Sequence, residues 1–290
     1  MAQIRRGLGR RTYRASLLGV IRIGQVVGRR EKPLTTTTTW GLPWLSVTHL
    51  ELQTPDGTAE AYLTGSGPGV LLYIDAIGLR PQIEQMADRI AGWGYTVLAP
   101  NVLYRSGTAA ETSPDGDLTE PGAREAFFEL VRPRIAELTP ERAVSDARAY
   151  LESLREHAGE VPVATVGYCM GARLAVRTAC ADPDVVACAG FHGGGLATEE
   201  PDSPHAGLPH ARAEFVFGHA DHDRGMQPEA VERLGRALEA AGLTSTNAIY
   251  PDAPHGYTMN DTSMYQEAGA ERSFRELRAL LDRTLRHGGD

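Results

Sequence analysis

Residues 167–171 read Gly-Tyr-Cys-Met-Gly; they follow an apolar run over 161–166 and precede a helix-like segment over 172–179. A side chain set on a tight strand-to-helix turn is held out of its own chain's packing, and small flanking residues relieve crowding there. A thiol so placed lies at a helix N-terminus, whose field favours the thiolate, the form that attacks electrophilic carbon. Cys169 is therefore the candidate nucleophile. Such a nucleophile needs a downstream acid and then a histidine, each at the end of a later strand. His219-Ala220-Asp221-His222-Asp223 follows one predicted strand and Pro251-Asp252-Ala253-Pro254-His255-Gly256 follows the next. The order Cys169, Asp221, His255 meets the requirement, with His255 taking the thiol proton and Asp221 fixing its tautomer; Asp223 is the rival acid. His219 and His222 could suggest a metal pair, but no third ligand has suitable spacing, and no metal is expected.

The elements that must position these groups alternate. Residues 45–52 and 59–63 read as strands around Pro55-Asp56-Gly57, an antiparallel hairpin. Buried-strand patterns then recur at 69–75, 95–99, 161–167, 185–190, 213–218 and 246–250, with helical periodicity at 83–93, 141–157, 170–181, 228–241 and 263–285. That rhythm implies right-handed crossovers on a mostly parallel sheet covered on both faces, a doubly wound α/β domain spanning 41–290. Residues 105–140 break it: a polar, Gly- and Pro-bearing loop over 106–122 and a short helix over 123–138 stand at a strand's C-terminal end, as a lid would.

The chain resembles the dienelactone hydrolase family of cysteine-dependent α/β-hydrolases. The likeness runs from about Val47 to Leu285. It rests on Asp75-Ala76-Ile77-Gly78-Leu79, Gly94-Tyr95-Thr96-Val97-Leu98-Ala99-Pro100, Gly167-Tyr168-Cys169-Met170-Gly171, Gly218 with Asp221, and His255-Gly256-Tyr257. The resemblance implies an α/β-hydrolase fold, a Cys169–Asp221–His255 triad and an oxyanion hole from the backbone N–H groups of Met170 and Ala76. It also implies a thiol-modulating carboxylate at Asp75, where the family has a glutamate, and an arginine clamp for the substrate carboxylate. Arg105 matches one clamp position; the other holds Met259. Tyr104 and Tyr257 are read as pocket lining, and His192, in Phe191-His192-Gly193-Gly194-Gly195, as part of a glycine-rich rim. Cys180 and Cys188 are expected in the core.

Cysteine narrows the chemistry. A thiolate attacks a carbonyl well and also leaves well, so the tetrahedral intermediate goes forward only when the substrate's own leaving group is stabilised. Enol lactones, activated esters and thioesters fit; amides and plain alkyl esters do not. The expected activity is carboxylic-ester hydrolysis of a dienelactone-like or activated ester, with a thioesterase or broad carboxylesterase as the near alternative and a redox-sensing binder as the distant one. No cofactor is called for.

Length and charge bound the rest. The chain has 290 residues, 42% hydrophobic and 23% charged, ordinary values for one large globular domain. Residues 1–40 carry nine of the 29 basic residues and one of the 37 acids, leaving 20 bases against 36 acids, a net of −16, in the body. An acidic body is a poor partner for nucleic acid or an anionic membrane. The basic stretch 1–40 reads as a disordered leader, with a targeting segment or a basic contact arm as alternatives; its apolar patch, Leu17-Leu18-Gly19-Val20-Ile21, is too short and interrupted to span a bilayer. Three cysteines without Cys-x-x-Cys spacing fit a reducing cytoplasm. The expected partner is a small ester or lactone, met by a monomer or homodimer.

Overall fold

The computed structural model describes residues 36–37, 48–159 and 162–286; apart from Thr36 and Thr37, the leader expected over 1–40 lies outside the described residues. Among the described residues nine strands form one sheet: β1 (Thr36–Thr37), β2 (Thr48–Thr54), β3 (Gly57–Gly65), β4 (Gly69–Tyr73), β5 (Thr96–Pro100), β6 (Val163–Tyr168), β7 (Val185–Phe191), β8 (Glu214–His219) and β9 (Ser245–Ile249), in the order β1-β2-β3-β5-β4-β6-β7-β8-β9. The expected hairpin is β2–β3, closed where Thr54 pairs with Gly57 around Pro55 and Asp56. β3 runs antiparallel to β5, and every pairing from β5 through β4 to β9 is parallel.

The α-helices of the described residues are α1 (Pro81–Ala91), α2 (Ala109–Thr112), α3 (Ala123–Ala136), α4 (Pro140–Ala158), α5 (Met170–Ala181), α6 (Pro228–Ala240) and, after the last strand, α7 (Glu267–Leu285). α1 and α7 share one face, joined by the Arg89–Glu271 ion pair and the Trp93–Phe274 edge contact, while α4 and α5 pack together on the other. All five residues of β4 and of β5 are buried, as are all six of β6. Continuous apolar runs are what a parallel sheet roofed on both sides requires, each fully buried Val or Leu contributing roughly 1.5–3 kcal/mol.

The chain winds outward from β4 in two directions, to β5 on one side and to β6 on the other. The crevice above the C-terminal ends of β4 and β6 is therefore the topological switch point, where open α/β sheets bind ligands. Two boundaries differ from the sequence reading. α7 begins at Glu267, not at 263, because residues 257–266 are spent in turns, closed by Gln266 N–H donating to the Tyr257 carbonyl, and the Gln266 side chain caps the helix at Gly269. The irregular insertion holds a 3₁₀ turn at Tyr104–Ser106 and the four-residue α2 before α3. No helix among the described residues is long and apolar enough to cross a membrane.

Candidate active site

β6 ends at Tyr168, α5 begins at Met170, and Cys169 stands between them with φ 52° and ψ −117°. A non-glycine residue is held in so unfavourable a conformation only when its surroundings over-determine it. Here the glycines on either side do so. A Cβ at Gly167 would strike the backbone of Gly171, and one at Gly171 would strike the carbonyls of Tyr73 and Ile74 on the neighbouring strand's end. With both absent, α5 closes onto β4 and β6, and the Cys169 N–H is tied to the Phe191 carbonyl at 3.0 Å.

The His255 ring meets the sulfur. Its Nε2 lies 3.0 Å from Cys169 Sγ, and its Nδ1 lies 2.6 Å from Asp223 Oδ2. The acid under the imidazole is therefore Asp223, and the assignment of Asp221 is corrected. The two differ by one turn of backbone: His222 adopts φ 53°, which swings the following residue back toward the β9 loop. Asp223 is 7% exposed and its other oxygen accepts from the Gly225 N–H at 2.8 Å, so its orientation is fixed. Asp221 instead accepts the backbone N–H groups of His222 and Asp252, both at 3.0 Å, and gives its own N–H to Ala253. It staples the β8 loop to the loop that carries His255.

The three groups titrate together. Burial alone would raise the Cys169 thiol, but the His255 imidazolium beside it outweighs burial and leaves the pKa below its ordinary value. Burial likewise opposes charging of His255, yet the Cys169 thiolate and the Asp223 carboxylate push it up to about 10. Asp223 is held below the usual carboxylate range, burial again being outweighed by the histidine. Each partner thus favours the charged form of the other. Only the thiolate reacts with iodoacetamide, so the alkylation rate should rise with pH through a midpoint below the ~8.5 of a free thiol. In His255→Asn the compensating charge is gone, burial dominates, and the midpoint should move above that value. A midpoint unchanged by the substitution would contradict the pairing.

A cavity of about 10 Å³ sits over the sulfur, lined by Asp75, Ile77, His192, Met259 and Thr262 together with Arg124 and Phe128 of α3. Asp75 is in this wall but does not hydrogen-bond the thiol. Its carboxylate is gripped by Arg80, at 2.7 and 3.2 Å, and accepts the Ile77 N–H at 3.0 Å; from there its charge opposes the thiolate. Arg80 also pairs with Asp261 and touches Met259 Sδ at 3.5 Å, so a guanidinium from the N-cap of α1 occupies space beside the residue that replaces the expected clamp arginine. Beyond it lies a wider cavity of about 470 Å³, bounded by Gln82, Gln85, Ser113 and Asn260, which does not reach Cys169.

Three of the four expected substrate-binding residues stand elsewhere. Arg105 is spent on Asp146 and Asp56 at 2.7 Å each, because the buried Asp146 of α4 needs a counter-ion. Tyr104 donates to the same Asp146 and accepts from Thr54. Tyr257 is fully buried, donating to the Gly218 carbonyl. His192 does line the cavity; its Nε2 is 2.7 Å from Thr258 Oγ1, and burial keeps the ring neutral. The Met170 N–H lies near enough to help lower the Cys169 thiol, and the Ala76 N–H, between two cavity residues, donates to no carbonyl in the described turns and loops. Arg124 and Phe128 were missed by sequence reasoning; their i, i+4 spacing on a weakly apolar helix was the only signal. Among the described residues no group of three or more His, Cys, Asp or Glu is placed to hold a metal ion.

This sheet, switch-point elbow and thiol–imidazole–carboxylate array define an α/β-hydrolase. A model of the Dienelactone hydrolase family matches residues 58–285, and the chain belongs to that family, whose members are hydrolases of the carboxylic-ester and lactone type. It is similar to the carboxymethylenebutenolidase of Rhodococcus opacus, 24% identical over 252 residues, covering 83% of this chain and 94% of that one. Its fold matches the dienelactone hydrolase from Anabaena variabilis, with a TM-score of 0.58 at 18% identity over 83% of this chain and 99% of that one. A dienelactone hydrolase-like promiscuous phosphotriesterase from metagenomic libraries matches with a TM-score of 0.63 at 17% identity, covering 83% and 98%.

Proposed function

We infer that the protein hydrolyses activated esters or enol lactones through a covalent thioester on Cys169. The observation that carries this reading is the 3.0 Å contact between Cys169 Sγ and His255 Nε2 with Asp223 behind the ring. The thiolate attacks the acyl carbon, forming the C–S bond and placing negative charge on the carbonyl oxygen. The N–H groups of Met170 and Ala76 receive that oxygen, each such donor contributing about 3 kcal/mol. Collapse breaks the C–O bond; His255 gives its proton to the departing enolate or phenolate. Water then attacks the thioester, returns a proton to His255 and expels the thiolate, so one water is consumed and one acid released.

Asp75 takes no proton in this cycle. Held by Arg80, it is unavailable to take the thiol proton, which leaves activation to His255. A cavity of about 10 Å³ holds no substrate, so α3 acts as a lid that carries Arg124 and Phe128 away on opening. All three cysteines are free, which suits the cytoplasm.

Leaving-group dependence tests the reading. An aryl acetate and an enol lactone should turn over and leave an acyl mass on Cys169 in rapid-quench spectra, while the ethyl ester and the amide should not. An acyl thioester arm measures the neighbouring activity. Turnover of the ethyl ester as fast as the aryl ester, with no adduct, would overturn the thioester mechanism.

A further inference from the structure

The cations around the thiol are unequal. Arg80 is buried and neutralised by two carboxylates, and Arg105 is paired with Asp146 and Asp56. Arg124 also lines the cavity over Cys169, half-buried, and among the described residues it makes no ion pair and no hydrogen bond. Its guanidinium lies 4.6 Å over the Phe128 ring, which fixes its plane and leaves its five N–H donors free. The group reaches the loop of the base: Nη2 is 3.9 Å from where a Cβ on Gly256 would stand, one residue past His255. Its charge is also felt at His192 on the opposite wall.

A guanidinium held half-buried over the nucleophile with no anion beside it leaves its fork of donors to an incoming carboxylate. The remaining charge at the site is already matched: Cys169 with His255, His255 with Asp223, and Asp75 with Arg80. We propose that Arg124, carried on α3, reads a negatively charged substituent on the acyl part of the substrate and draws the lid shut over it. This deepens the hydrolase reading and rests on it for the substrate, though not for its test. Arg124 lies outside every motif on which the family resemblance stands, and it takes a task that the locked Arg105 cannot perform.

Two alkylating reagents of nearly equal size make the first measurement independent of turnover. Iodoacetate and iodoacetamide both react when thiolate sulfur displaces iodide from carbon, and they differ by one negative charge. The ratio of their rates at Cys169, followed by peptide mass, should fall ~10-fold or more from the wild type to Arg124→Met, because a charged hydrogen bond to a carboxylate is lost. Arg124→Lys should keep most of the ratio. The same ratio in all three proteins would overturn the assignment. A second pair, a p-nitrophenyl ester of succinate and one of butyrate, separates this failure from that of the parent reading. Arg124→Met should lower kcat/KM for the succinate ester at least ~10-fold more than for the butyrate ester. Equal losses on both esters would assign Arg124 a structural role in the lid, against the proposal. No Cys169-dependent hydrolysis of either ester would sink the hydrolase reading while the alkylation ratio still decides Arg124.

Discussion

Cys169→Ala is expected to lower kcat on an aryl ester by ~10⁴-fold or more, with no acyl adduct at residue 169. On the proposed mechanism, removing the sulfur deletes the attacking atom, and the other cavity groups are poorly placed to replace it. His192 is neutral and tied to Thr258, Asp75 is held by Arg80, and Thr262 Oγ1 donates to the Met259 carbonyl. The alanine keeps the Cβ, so the strained turn at φ 52° and its two enabling glycines are unaltered. Circular dichroism and the thermal midpoint should therefore stay close to the wild type while turnover disappears. Residual activity from the oxyanion donors alone is the expected floor. Rates within tenfold of the wild type would place the reaction at another group and dismiss the thioester.

What could be read from the residues alone follows how locally each feature is encoded. The elbow is local: a buried strand, two glycines that admit a close helix, and the residue between them sit within a few positions of one another, and the structure places Cys169 there. The mostly parallel sheet is likewise implied by the recurring apolar runs, because such a sheet must bury both faces, whereas the strand order is not. The acid was harder. Asp221 and Asp223 share one loop, and the choice turns on the positive φ of His222, which no periodicity reports. Arg105 fails for a longer-range reason: its partner Asp146 lies 41 residues away on α4, and a buried carboxylate claims the nearest guanidinium. Arg80 and Arg124 were invisible for the same cause. One is claimed by Asp75 and Asp261, and the other is delivered by an insertion whose helix has only two buried residues, Phe127 and Val131.

The pair of aspartates gives the sharpest discrimination of role. Asp223→Asn preserves shape and the Gly225 contact, but it replaces the acceptor under His255 Nδ1 by an amide and removes the charge that sustains the imidazolium. The His255 pKa should fall from about 10, since Asp223 contributes both a hydrogen bond and a charge to it. Less imidazolium means less thiolate, a ring free to take the wrong tautomer, and a weaker proton donor to the leaving group. The expected loss in kcat is ~10²–10⁴-fold, with the thiol's alkylation midpoint moved upward. Asp221→Asn meets a different fate. Its side-chain oxygen can still accept the Asp252 N–H, and its carboxylate touches no part of the imidazole, so kcat should stay within about tenfold and any cost should appear as a lower thermal midpoint. Were the two variants to exchange these outcomes, the acid would be Asp221 after all, and the chain would have to turn differently at His222.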